Sequence, residues 1–193
     1  PMPTSNEGQP AGSTWQGSPG WEQAGTGPQG REPADQTSEP EPSLSGYELL
    51  LAVCGGIAAY KVCGVVSWLV QRGCGVTVAM TRAATRFIGP LTFQALSGRE
   101  VFCDLWQRGA SRSPRHLRLS ESADLLLIAP ATANIIGKIA AGVADELVST
   151  LVIGASCPVV IAPSMNPRMW TNPVVQRNVE RLKELGYELI EPQ

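Results

Sequence analysis

No two cysteines of this chain are spaced as C-x-x-C. Its five thiols, Cys54, Cys63, Cys74, Cys103 and Cys157, are odd in number and widely scattered. That pattern supports neither a zinc site nor a disulfide framework, and reduced thiols in a cytosolic protein are the simplest reading. Long apolar runs are lacking too. None reaches the roughly 18–20 residues needed to cross a bilayer, and the acidic N-terminal stretch has no apolar core of the secretory kind. A cytoplasmic protein without membrane attachment is therefore expected. The first 45 residues contain no Val, Ile, Phe or Lys. Such a segment buries too little apolar surface to offset the entropy of ordering it, so residues 1–45 are expected to be a disordered, Gly/Pro/Ser-rich tail. Trp15 and Trp21 within it read as isolated aromatics or as a docking peptide. The tail holds six acidic residues against one basic, Arg31. Removing these from the chain's 17 acidic and 15 basic residues leaves 11 and 14. So slight an excess of positive charge argues against nucleic acid and suits a small anionic ligand.

After Ser45 the pattern changes. Tyr47–Val53 is an apolar run broken only by Glu48, the signature of a strand buried on both faces. Apolar residues at helical spacing follow, from Ile57 to Val70, and Gly73 ends them. Val76–Met80 reads as a second strand, 90–96 as a helix, and Val101–Cys103 as a short edge strand. Ala123–Ile128 is a third long strand, followed by a helix over 132–141. Asp145 is expected to cap a further helix reaching Ile153. Val159–Ala162 is the fourth long strand. Thr171 or Asn172 starts a helix with Pro173 in its first turn, whose stripe is Val175, Val179, Leu182 and Leu185. Tyr187–Ile190 is the last strand. Alternating strands and helices predict a three-layer α/β fold over residues 46–193: a Rossmann-like (flavodoxin-like) parallel sheet with helices on both faces. Right-handed crossovers then bring the strand ends to one side.

Ligands of such sheets sit at the carboxyl ends of strands. Three strand ends carry suggestive chemistry. Gly55-Gly56-Ile57 joins the first strand to the first helix. Its glycines allow close backbone approach to a ligand or merely make a tight turn, and amides at the helix start suit a phosphate. Thr81, ending the second strand, serves a phosphate or caps a helix. The other two ends are Ala129-Pro130-Ala131-Thr132-Ala133-Asn134 and Pro163-Ser164-Met165-Asn166 with Met169-Trp170. Each combines Pro and Asn, so that amides fix a ligand while apolar side chains pack against it.

Together with Gly142-Val143-Ala144-Asp145-Glu146-Leu147-Val148-Ser149-Thr150, these segments resemble the flavin-containing cysteine decarboxylases, most closely those of coenzyme A biosynthesis. The resemblance runs from about Gly46 to Gln193. It implies FMN as cofactor, 4'-phosphopantothenoylcysteine as a phosphorylated thiol substrate, and 4'-phosphopantetheine as product. It also implies a homo-oligomer, a trimer or a multiple of trimers, with flavin near a subunit contact. Gly55, Gly56, Ile57 and Thr81 match the phosphate and ribityl end of the FMN site. Pro130, Ala131, Thr132 and Asn134 match residues along the flavin, with Asp145 and Ser149 as further candidates. His116, the chain's single histidine, falls at the family's acid/base position. Asn166 matches the asparagine that holds the substrate carboxylate, between Met165 and Met169 on the substrate side. The implied chemistry oxidises the thiol-bearing carbon to a thioaldehyde, releases CO₂ to leave an enethiolate, and then returns the two electrons.

The chain also departs from the family. Cys54 stands where Ser or Thr is common, Ser164 replaces Ala, and the loop before His116 is rich in Arg and Ser. The family's flap cysteine has no counterpart before Gln193, and Cys157 lies in the wrong segment to replace it. A chain complete at that point is expected to stall at the enethiolate, as the peptidyl-cysteine decarboxylases do. Decarboxylation of a peptide's C-terminal cysteine is thus one alternative function, and a non-catalytic flavoprotein regulatory subunit is another.

Overall fold

Every residue from Leu49 to Val53 is buried, as a strand covered on both faces requires. In the computed structural model, which describes residues 42–105 and 119–192, this run forms the centre of a parallel sheet. Strand β1 (Glu48–Val53) pairs with β2 (Gly75–Met80) on one side and β4 (Leu125–Ala131) on the other. β3 (Val101–Phe102) lies beyond β2, β5 (Val159–Pro163) beyond β4, and β6 (Glu188–Leu189) beyond β5. Among the described residues the order is β3-β2-β1-β4-β5-β6, all parallel. This is the doubly wound order in which the strand order reverses between β1 and β4, opening a crevice at their carboxyl ends.

Alternation along β1 separates two cores. Leu50, Ala52 and Cys54 face one, with Ile135, Ile136 and Ile139 of α3 (Ala133–Ala140), Val148 and Leu151 of α4 (Leu147–Ile153), and Val179 and Leu182 of α6 (Pro173–Glu184). Leu49, Leu51 and Val53 face the other, with Val62 and Val66 of α1 (Ala59–Gln71) and Phe93 of α2 (Pro90–Ser97). Phe93 is fully buried, a contribution of about 1.5–3 kcal/mol. Gly98 ends α2 at φ 67°, in the left-handed region that glycine adopts most readily. The compact unit spans Glu41–Gln193, and Leu44 is already tied to it by donating its N–H to the Arg72 carbonyl at 2.9 Å.

Several local expectations shift. β4 runs through the cis Ala129–Pro130 peptide to Ala131, with a register irregularity after Ile128. Glu146, not Asp145, caps α4: its carboxylate accepts the Ser149 N–H at 3.1 Å, while Asp145 is drawn to Lys138 at 2.7 Å. Asn172 rather than Thr171 caps α6, accepting the Val174 N–H. An unexpected short helix, α5 (Pro167–Trp170), precedes it. Leu185, expected on the buried stripe, is 61% exposed because α6 ends at Glu184. The expected tail up to residue 41 and the Arg/Ser-rich loop lie outside the described residues.

Candidate active site

Turns leaving β1, β2, β4 and β5 surround a cleft of about 890 Å³, within the roughly 300–1,000 Å³ typical of small-molecule sites. Gly55, Gly56 and Ile57 line it from the β1–α1 turn, and Thr81, Arg82 and Ala83 from the end of β2. Residues 132–135 and Lys138 come from the start of α3, Glu146 from the cap of α4, and Ser164, Met165, Asn166 and Met169 from beyond β5.

The two glycines do different work. A Cβ on Gly55 would lie 2.5 Å from the Ala83 Cβ and 2.8 Å from its backbone carbonyl carbon. Only glycine lets these turns meet so closely. A Cβ on Gly56 would meet nothing nearer than the Thr132 methyl at 4.0 Å, so the turn presents bare backbone to open space there. Such a cradle, followed by a helix with no acid in its first turn, suits a phosphate-bearing ligand.

Backbone bonds hold the loops in place. The Pro130 carbonyl accepts the Cys54 N–H at 3.3 Å, and the Ala131 carbonyl accepts the Ser164 N–H at 2.9 Å. Pro130 and Ala131 are buried and do not line the cleft. They latch the ends of β1 and β5 to the end of β4. Thr132 caps α3 through its hydroxyl, which accepts the Ile135 N–H at 3.4 Å, and Asn134 stands exposed two residues on. The Asn166 side chain caps α5, its Oδ1 accepting the Arg168 N–H at 2.9 Å. The backbone donor engages only the amide oxygen, and among the described residues both N–H donors of Nδ2 are uncommitted. Those are the donors a carboxylate needs.

Ser149 is set apart from the cleft. It is fully buried, and its hydroxyl donates to the Glu146 carbonyl at 3.1 Å within the capping box. Asp145 also lies off the cleft wall, where its ion pair with Lys138 holds its carboxyl below the usual range. Burial pushes the Cys54 thiol up to about 12, with the Glu146 charge adding to the effect. Cys54 is therefore a protonated core residue rather than a nucleophile. His116 lies outside the described residues.

Sequence reasoning did not single out Arg82, Ala83, Lys138 or Glu146 as cleft residues. Two signals were available: Lys138 follows Asn134 by one helical turn, and Arg82 and Ala83 directly follow Thr81. Among the described residues no cluster of His, Cys, Asp and Glu is arranged to hold a metal ion, and no helix is long and apolar enough to cross a membrane.

A doubly wound parallel sheet with a glycine cradle and amide-bearing loops at its switch point defines a nucleotide-type ligand-binding α/β protein. Residues 37–193 match the family described as Flavoprotein. The chain belongs to that family. It is 48% identical over 149 residues to the coenzyme A biosynthesis bifunctional protein CoaBC of Bacillus subtilis (strain 168), an alignment covering 77% of this chain and 37% of that protein. The chain thus spans little more than a third of the length of such relatives. Among solved structures, the FMN-dependent cysteine decarboxylase SpaF superposes with a TM-score of 0.73 at 39% identity, covering 77% of this chain and 86% of that one. A PPC decarboxylase mutant complexed with pantothenoylaminoethenethiol superposes with a TM-score of 0.66 at 32% identity, covering 76% and 82%.

Proposed function

We propose that this protein is an FMN-dependent carboxy-lyase that converts 4'-phosphopantothenoylcysteine to 4'-phosphopantetheine. The observation that carries this reading is the convergence of Gly56, Asn134 and Asn166, from three separate loops, on one cleft. The relatives named for coenzyme A biosynthesis support the substrate.

When bound, FMN supplies the two-electron acceptor, and later donor, for the sulfur-bearing carbon. The chain's own residues do the rest. Backbone amides of Gly56 and Ile57, with the Thr81 hydroxyl, hold the phosphate end. Thr132 and Asn134 fix the flavin's edge. Asn166 donates both Nδ2 hydrogens to the substrate carboxylate. A neutral amide orients that group without strongly opposing its departure as CO₂. Met165 and Met169 exclude water around it. His116 accepts a proton from the substrate at one ring nitrogen and returns it, a role worth about 10²–10⁴ in rate.

The reading includes a homotrimer in the cytoplasm. Ile57 is 76% exposed though it lines the cleft, so a second copy covering the cleft mouth would bury it. Light scattering that returns a monomer would remove the trimer from the proposal.

Purified protein is expected to be yellow and to release FMN on denaturation. Incubation with 4'-phosphopantothenoylcysteine is expected to give a product lacking only CO₂ by mass spectrometry. A product lacking CO₂ and two hydrogens would mean that the chain stops at the enethiolate. A colourless protein that takes up no added FMN would end the proposal. A second reading, decarboxylation of a peptide's C-terminal cysteine, is supported by the likeness to the peptidyl-cysteine decarboxylase EpiD at 27% identity. Faster turnover of a cysteine-terminated peptide than of the pantothenoyl substrate would select it.

A further inference from the structure

Among the described residues, three charged ones line the cleft: Arg82, Lys138 and Glu146. Two are already engaged. The Lys138 ammonium donates to both Asp145 carboxylate oxygens, at 2.7 and 3.0 Å. The Glu146 carboxylate accepts the Ser149 N–H and leaves a negative charge on its side of the cleft. Arg82 differs. Only its backbone is used, its carbonyl accepting the Thr85 hydroxyl at 2.9 Å. Among the described residues its guanidinium makes no hydrogen bond and no ion pair. An uncommitted guanidinium offers five N–H donors in a planar fork matched to phosphate oxygens.

Its position adds to this. Arg82 stands between Thr81 and Ala83, and Ala83 is the residue against which Gly55 packs. The guanidinium therefore rises from the turn that abuts the glycine cradle. The Thr81 oxygen accepts the Ala84 N–H at 3.1 Å, so its hydroxyl hydrogen remains free to donate. Among the described residues the cleft is polarised, with an unpaired positive charge on the turn beside the cradle and negative charge at the α4 cap.

We propose that Arg82 is the receptor for a phosphate monoester dianion in this cleft, and that the monoester is the flavin's. The inference rests on the FMN reading above and deepens it: Arg82 is what makes the site prefer FMN over the dephosphorylated flavin.

The test is equilibrium binding to the full chain freed of flavin, followed by quenching of flavin fluorescence, with FMN and riboflavin titrated separately. Arg82→Ala is expected to weaken FMN about tenfold to a hundredfold, the range for a hydrogen bond to a charged group, and to leave riboflavin affinity unchanged. Arg82 is exposed, so the variant should keep its fold, and circular dichroism checks this. Arg86→Ala removes an exposed charge outside the cleft wall and is expected to leave FMN binding at the wild-type level. Unchanged FMN affinity in Arg82→Ala would overturn the inference while leaving the FMN reading intact. Equal weakening of FMN and riboflavin would overturn it too, as would an Arg86→Ala effect as large as that of Arg82→Ala. A further arm compares KM for substrates with and without the 4'-phosphate at saturating FMN. A rise confined to the phosphorylated substrate, with FMN affinity unchanged, would reassign Arg82 and defeat the flavin assignment. A wild-type chain that binds neither flavin would sink the functional reading and this inference with it.

Discussion

The two ends of the sheet are built on opposite principles. At the amino ends of the strands, polar groups satisfy one another. Arg99 donates to both Glu48 carboxylate oxygens and, at 3.2 Å, to the Thr77 hydroxyl. The Asp124 carboxylate accepts the Glu48 N–H at 2.8 Å. At the carboxyl ends, polar groups are only half used. Asn166 spends its oxygen on a cap, Gly56 faces open space, and among the described residues neither the Asn166 N–H donors nor the Arg82 guanidinium has a partner. A parallel sheet gathers all its strand ends of one sense on one side. One side can then be closed for stability while the other stays open for a ligand, and losses at each should be separable.

The strongest test of that separation is Gly55→Ala. It should fail at both tasks, because its Cβ would overlap Ala83. Overpacking of this kind costs about 1–3 kcal/mol, readable as a lower denaturation midpoint, and flavin should be lost along with the displaced turn. Gly56→Ala sharpens the contrast: a similar midpoint, but weakened FMN binding in a fluorescence titration. If Gly55→Ala matches wild type in both measurements, the contact with Ala83 is not a constraint.

Asn166→Ala comes next. Loss of its donors to a charged carboxylate should lower kcat/KM about tenfold to a hundredfold. Loss of the α5 cap should cost only about 1 kcal/mol or less. FMN content should stay at the wild-type level, so steady-state kinetics beside a flavin spectrum decide the matter.

The smallest effect belongs to the closed end. The hydrogen bonds from Arg99 hold the Glu48 carboxyl below its ordinary value. A depressed folded-state pKa contributes stability that is present above the unfolded-state value and is lost as pH falls through the folded-state one. Both side chains are more than a third exposed, at 41% and 43%, so solvent screening limits the contribution to roughly 0.2–1 kcal/mol. Glu48→Gln should erase this part of the acid-side slope in a pH series of melts without changing FMN affinity. A loss of flavin would show that the two ends are coupled.

Much of the fold was legible because its signals are local. The run from Leu49 to Val53, the helical spacing after Ile57, and Pro173 following a capping residue each express the geometry of a few neighbouring residues. The glycine turn and the two Pro/Asn strand ends were legible for the same reason. The choice of Glu146 over Asp145 as the α4 cap was not. Both are acidic neighbours, and the outcome turned on Lys138 engaging Asp145 from seven residues away. Nor did spacing reveal that Pro130 and Ala131 turn inward as latches, or that among the described residues the Arg82 guanidinium stays free while Lys138 is neutralised.

By itself, the amino-acid order determined the alternation of strands and helices and the chemical character of each strand end, since propensity and periodicity act over one or two turns of chain. Only the tertiary structure decided that β1 lies between β2 and β4, that Gly56, Asn134 and Asn166 share one cleft, and which charges within it are already spent. Those outcomes depend on distances between segments far apart along the chain, and packing alone sets such distances.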